Sequence, residues 1–161
     1  MIIIVMGVSG SGKTTIGMQL AKTLQWVFVD ADDFHPAANV EKMRRGIPLT
    51  DQDRKPWLSA LRSQIGEWLQ HNRQVVLACS ALKAWYRQEL LVDPSRIRLV
   101  YLKGTYELIA GRLARRKGHF MRPELLASQF DSLEEPDDAL IVDIAQRPRG
   151  IVRQIRKQLQ V

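Results

Sequence analysis

Gly7-Val8-Ser9-Gly10-Ser11-Gly12-Lys13-Thr14 is the stretch whose reading decides the fold. It fits G-x-x-x-x-G-K-[ST], and its flanks suit that pattern. Ahead of it lies Met1-Ile2-Ile3-Ile4-Val5-Met6, an apolar run of buried-strand length. Behind it, Thr15 to Leu24 reads as an amphipathic helix. Strand, glycine loop and helix together form a phosphate cradle. Glycines let the backbone curl until successive N–H groups face one anion, and the helix N-terminus adds its partial positive charge. Gly7, Ser9, Gly10, Ser11, Gly12, Lys13, Thr14 and Thr15 are therefore expected to hold a nucleoside triphosphate. Lys13 reaches the outer phosphates, and the Thr14 hydroxyl holds Mg²⁺.

Working outward, the chain of 161 residues, 45% hydrophobic, suits one domain over 1–161. Strand-like runs occur at Ile2–Met6, Trp26–Asp30, Gln74–Cys79, Ile97–Leu102 and Leu140–Ile144. Helical patterns at Thr15–Leu24, Ala37–Arg45, Asp53–Leu69, Ala84–Leu91, Tyr106–Arg115 and Pro148–Leu159 fall between and around them. This alternation predicts an α/β fold: a three-layer α/β/α sandwich around a five-stranded parallel sheet. Ligands of such sheets bind beyond the carboxyl ends of the strands.

Those strand ends carry the polar residues. The second run leads into Asp30-Ala31-Asp32-Asp33-Phe34-His35-Pro36. Carboxylates beside a nucleotide can hold Mg²⁺ or its waters, and one can take a proton from a substrate hydroxyl. Asp32 is the leading candidate, with His35 beside it. Asp is equally a favoured helix cap. Lys42, Arg44 and Arg45 could meet an anion or simply coat a helix. Arg54 sits in a helix's first turn, where a cation opposes the dipole, so a functional reason is expected for it. The third run ends at Cys79-Ser80, where many related proteins carry an aspartate. Ser80 can support a metal-bound water but has no charge, which leaves the metal's carboxylate to Asp32. Lys83 and Arg87, four apart, are expected to share one anion. Arg112 to Lys117 is a basic helix end resembling a lid that brings charge to a phosphoryl group.

The formal charge is +7, from 24 Lys and Arg against 17 Asp and Glu. Nucleic acid, a membrane surface or small anions could each explain it. No recognition signature for nucleic acid is present, and a positive active-site field is the simpler reading. Cys79 is the only cysteine, so an internal disulfide is impossible and a reducing cytoplasm is expected. The short N-terminal apolar run does not read as a signal peptide, and no stretch reaches membrane-spanning length.

Taken together, GVSGSGKTT at 7–15, D-x-D-x-x-H-P from Asp30, N-V-E-K-M at 39–43 and G-I-P-L-T-D-Q-D-R-K-P-W-L at 46–58 resemble the gluconokinases. C-S-A-L-K at 79–83 with Y-R at 86–87, Y-L-K-G at 101–104, R-K-G-H-F-M at 116–121 and S-Q-F at 128–130 extend the likeness. These are P-loop kinases akin to shikimate and nucleoside-monophosphate kinases. The resemblance implies ATP- and Mg²⁺-dependent phosphorylation of D-gluconate on its 6-hydroxyl, commonly by a homodimer. It implies that Lys13, Asp32 and Arg116 are catalytic, that Arg112 covers the nucleotide, and that Thr14 and Asp32 serve the metal. His35, Arg54, Ser80, Lys83 and Arg87 join Asp32 around the sugar acid. A substrate region near 32–58 and a lid near 113–124 follow. One departure is Asp33, where the family often has an aromatic or aliphatic residue. A kinase for shikimate or a nucleotide, a nucleic-acid module, and a non-catalytic ATP binder are the competing readings.

Overall fold

A computed structural model of the chain describes residues 1–116 and 123–161. In chain order the elements are β1 (Ile2–Met6), α1 (Lys13–Leu24), β2 (Val27–Asp30), α2 (Ala37–Arg44), α3 (Asp51–Gln70), β3 (Val75–Ala78), α4 (Ala84–Leu90), β4 (Ile97–Lys103), α5 (Tyr106–Arg115), α6 (Pro123–Ser132), β5 (Leu140–Asp143) and α7 (Pro148–Leu159). A short 3-10 turn, Ala31–Phe34, joins β2 to α2. All five strands are parallel, in the order β2-β3-β1-β4-β5. The expected α/β sandwich is thus formed, with element ends shifted by one or two residues. α6 is the addition: no helix is anticipated there from the sequence.

β1 shows why the sheet needs cover on both faces. Every one of its residues is buried, and alternate side chains enter different cores. Ile2, Ile4 and Met6 meet Leu58, Leu61 and Ile65 of α3 and Tyr86 and Leu90 of α4. Ile3 and Val5 share the opposite core with Ile16 and Leu20 of α1, Ile109 of α5, and Ile151 and Ile155 of α7. Leu126 adds α6 to that second core. The order reverses about β1, so the loops after β1, β2 and β3 open toward one crevice.

The loop after β3 is shaped by a buried arginine. Ala81 adopts the left-handed region at φ 43°, which a non-glycine residue occupies only when its surroundings hold it there. Arg87, only 6% exposed, holds it: Nη1 donates to the carbonyls of Ala81 (2.9 Å) and Leu82 (3.1 Å). Lys83, at the N-cap of α4, turns away and donates to both carboxylate oxygens of Asp51, at 2.9 and 3.1 Å. The shared anion grip expected of Lys83 and Arg87 is therefore not formed. One side chain is used to pin a strained turn and the other is neutralised by a carboxylate. Arg87→Met keeps an unbranched stem and removes the donors. The Leu82 carbonyl still accepts from Glu134 N–H, so the orphaned group is Ala81 O, at a cost of roughly 1–3 kcal/mol. Urea denaturation should read that loss. An unchanged unfolding midpoint accompanied by weakened substrate binding would instead return Arg87 to a ligand-binding role.

Candidate active site

Two cavities flank the phosphate loop at the carboxyl ends of the strands. The larger, about 540 Å³, is lined by Ser9, Lys13, Asp32, His35, Arg54 and Ser80, with walls from Trp57, Ile47 and the α6 residues Ser128, Gln129 and Ser132. The smaller, about 290 Å³, is lined by Gly10, Ser11, Gly12, Thr15, Arg112 and Arg116. The loop thus separates two compartments. Its Ser9 side faces a cleft carrying carboxylate, imidazole and guanidinium. Its Gly10–Gly12 side faces arginines.

The loop's geometry suits an anion. Gly10 and Gly12 sit at φ 80° and 98°, conformations that a side chain rarely tolerates. A Cβ on Gly10 would also stand 2.9 Å from Leu113, which packs α5 over the loop. Lys13 is half-buried at the cleft, and its Nζ donates to the neutral Val8 carbonyl at 3.1 Å. Burial holds its pKa below the usual lysine value, while Asp32 and Asp30 pull the other way. Ser11 Oγ is buried without a hydrogen-bond partner among the described residues. A half-buried ammonium whose partner is a carbonyl and an orphaned buried hydroxyl fit a triphosphate, which satisfies both.

The acidic turn after β2 is held from several sides. Asp30 Oδ1 accepts from the Asp32 N–H at 3.0 Å, and Trp57 Nε1 donates to Ala31 O at 2.7 Å. Asp32 lies between Lys13 and His35, its side chain 68% open to the cleft. Confinement by the cleft walls and then the Asp30 carboxylate push its pKa above the usual aspartate value, against the pull of Lys13. Asp33 is exposed and lines neither cavity described above, so its extra charge faces solvent. Thr14 Oγ1 stands 3.5 Å from Asp30 Oδ2, so Asp30, not Asp32, is the carboxylate beside the Thr14 hydroxyl. Two such groups suit Mg²⁺, which typically takes few protein ligands and completes its shell with phosphate oxygens and water.

His35 is locked as a neutral donor. It stacks on Trp57, ring centroids 4.5 Å apart and 13° from parallel. The Asn39 amide donates to Asp53 O at 2.8 Å and lies 3.2 Å from His35 Nδ1. With one amide hydrogen committed to a carbonyl, the other goes to Nδ1, and the ring proton sits on Nε2. Nε2 faces Asp32 Oδ1 at 3.7 Å. Burial, and then the Arg54 cation, bring the His35 pKa down to about 4.

Besides Lys13, the larger cleft is lined by two expected cations, Arg44, which is paired with Glu41, and Arg54. Arg54 Nη1 donates to the Tyr86 hydroxyl (3.0 Å), which in turn donates to Asp51 (2.6 Å). A neutral hydroxyl positions the guanidinium without cancelling its charge. Lys42 is taken by Asp53 at 2.8 Å, and Arg44 and Arg45 by Glu41 at 3.1 and 3.0 Å. Arg112 donates to the Ile144 carbonyl, which holds it beside the smaller cavity. Arg116 follows the end of α5 at the same cavity. The lid expected near 113–124 falls largely on 117–122, which lie outside the described residues. Sequence reading missed Gln129, which lines the larger cleft and accepts from the Ser9 N–H at 2.6 Å. The S-Q-F triplet is its visible sign, though nothing local says where it points. Tyr86, Asp51 and Asn39, which position the site from behind, were also missed.

The chain is similar to known proteins over nearly its whole length. The sequence pattern of a family described as an AAA domain matches residues 2–136. The thermoresistant gluconokinase of Escherichia coli (strain K12) is 43% identical over 155 residues, covering 94% of this chain and 89% of that one. The crystal structure of a gluconokinase from Sinorhizobium meliloti 1021 superposes with a TM-score of 0.85 at 41% identity, over 98% of this chain and 94% of that one. The shikimate kinase of Aquifex aeolicus, at 21% identity and a TM-score of 0.63, shares the fold alone. With a phosphate loop joined to a cleft of Asp32, His35 and Arg54, and with this identity across nearly its whole length, the chain belongs to the gluconokinase family.

Proposed function

We propose that the protein transfers the terminal phosphoryl group of Mg²⁺·ATP to the 6-hydroxyl of D-gluconate, giving 6-phospho-D-gluconate. The observation that carries this reading is the placement of Asp32, His35 and Arg54 in one cleft with Lys13. Bound nucleotide and metal supply the phosphoryl donor and its charge neutralisation. The chain's residues do the rest. The loop amides and Lys13 bind the phosphates, Thr14 with Asp30 or Asp32 serves the metal, and Arg112 and Arg116 cover the nucleotide. Asp32 orients the acceptor hydroxyl. It takes the proton as that oxygen bonds to phosphorus and the bridging bond to ADP breaks. A raised carboxylate pKa suits a base, since it strengthens proton affinity. Arg54 meets the sugar carboxylate, while His35 Nε2–H and the Ser80 hydroxyl meet sugar hydroxyls. A neutral sugar would leave Arg54 uncompensated, which disfavours it. A homodimer in a cytoplasmic setting, free of nucleic acid and membrane, belongs to the same proposal. Among the described residues no helix is long and apolar enough to cross a membrane.

ADP release should be measured with D-gluconate, shikimate, glucose and nucleoside monophosphates. Turnover is expected for gluconate, and preference for another acceptor would refute the substrate assignment. Asp32→Asn should lower kcat by roughly 10²–10⁴-fold. Near wild-type kcat in that variant would remove Asp32 as the base. Arg54→Met should raise the gluconate KM by about 10-fold or more, the scale of a lost charge-assisted contact, with ATP binding unchanged. An unmoved KM would show that the carboxylate is bound elsewhere.

A further inference from the structure

The contact between Gln129 and Ser9 joins segments 120 residues apart and is not explained by the reaction as described. Ser9 belongs to the loop whose N–H groups receive phosphate, yet its N–H is held by a side-chain oxygen of α6. Its place in the loop identifies the phosphate concerned. Gly10, Ser11 and Gly12 line the smaller cavity, whereas Ser9 lines the acceptor cleft beside Lys13 and Asp32. The phosphoryl group that leaves the nucleotide must be the one facing that cleft. Gln129 therefore stands where the terminal phosphoryl group arrives.

A carboxamide suits that position chemically. Its oxygen accepts from Ser9 N–H, and its Nε2 has no hydrogen-bond partner among the described residues. Rotation of the last side-chain torsion, which is soft, exchanges the acceptor for the two-hydrogen donor with little backbone movement. The empty loop is satisfied by the oxygen. A loaded loop would place phosphate oxygens against that same atom, and the exchange turns a repulsion into a donated bond. Ser9 N–H is freed at the same time to donate to the anion, a stronger bond than the one it gives up.

Resting on the reading of the loop as an ATP site, we propose that Gln129 senses the terminal phosphoryl group of the nucleotide, accepting from Ser9 N–H when the loop is empty and donating to that group when it is filled. It is a positioning residue that discriminates triphosphate from diphosphate and links α6 to loop occupancy.

Equilibrium binding of Mg²⁺ complexes of the β,γ-imido analogue of ATP and of ADP, by calorimetry without acceptor, tests this. Glutamate at the position keeps shape and acceptor but cannot donate. Q129E should weaken the triphosphate analogue by about 10-fold or more, the scale of a lost charge-assisted bond plus repulsion, with ADP within about 2-fold. Q129M, which removes both functions, should weaken the analogue less than Q129E does, again with ADP spared. Equal weakening of both nucleotides would make Gln129 a merely structural tie, and unchanged affinities would dismiss the contact altogether. Either result overturns the proposal. Because no acceptor is present, a failed gluconate assignment leaves this measurement intact.

Discussion

The structure is organised around a half-buried cation beside the phosphate loop. Lys13 Nζ hydrogen-bonds a carbonyl, not a carboxylate, and burial disfavours its charged form. Asp30 and Asp32 oppose that penalty from a distance, so the turn after β2 must be held where its field reaches the ammonium. Trp57 holding Ala31 and Asp30 capping Asp32 are the means. The loop before Lys13 is fixed by β1, which is buried on both faces. Site and core are thus one problem: the sheet fixes the ammonium, and the ammonium dictates where carboxylates must lie.

Assigning ion pairs shows which cations are already engaged. Lys42, Arg44, Arg45, Arg62, Lys83, Arg96 and Lys103 all have carboxylate partners. Exposed pairs of this kind contribute little to stability, but they remove cations from competition for an anionic substrate. What remains facing the two cavities includes Lys13, Arg54, Arg112 and Arg116. These four cations face the spaces proposed for phosphate and a sugar acid, while Lys22, Arg149, Arg153 and Arg156 line a separate cavity between α1 and α7.

Much of this is legible before any coordinates. Period and punctuation suffice for the sheet: β-branched runs alternate with amphipathic helices, and the glycine loop fixes where the ligand lies. Asp32, His35 and Arg54 are legible because each sits at a strand end or in a locally unfavourable place. Lys83 and Arg87 mislead because helical spacing says which residues share a face, not which acceptors wait there. Asp51 and the Ala81 carbonyl are supplied by tertiary structure. Asp30 beside Thr14 is a matter of ångströms within a visible cluster. Gln129 is hidden for a different reason: its partner is a backbone N–H, which no sequence pattern encodes.

The corner between α2 and α3 carries a mechanical consequence. Thr50 and Asp53 form reciprocal caps at the start of α3, Asp53 also binds Lys42 of α2, and its carbonyl receives Asn39 of α2. Asn39 reaches His35, which rests on Trp57 of α3. These links close a ring through both helices, so the wall bearing His35 and Arg54 can tilt only as a rigid body. Among the described residues α6, on the facing wall, accepts one hydrogen bond from the loop, at Gln129, and shares a core with its Val8 through Leu126. The acceptor is therefore received on a surface shaped in advance.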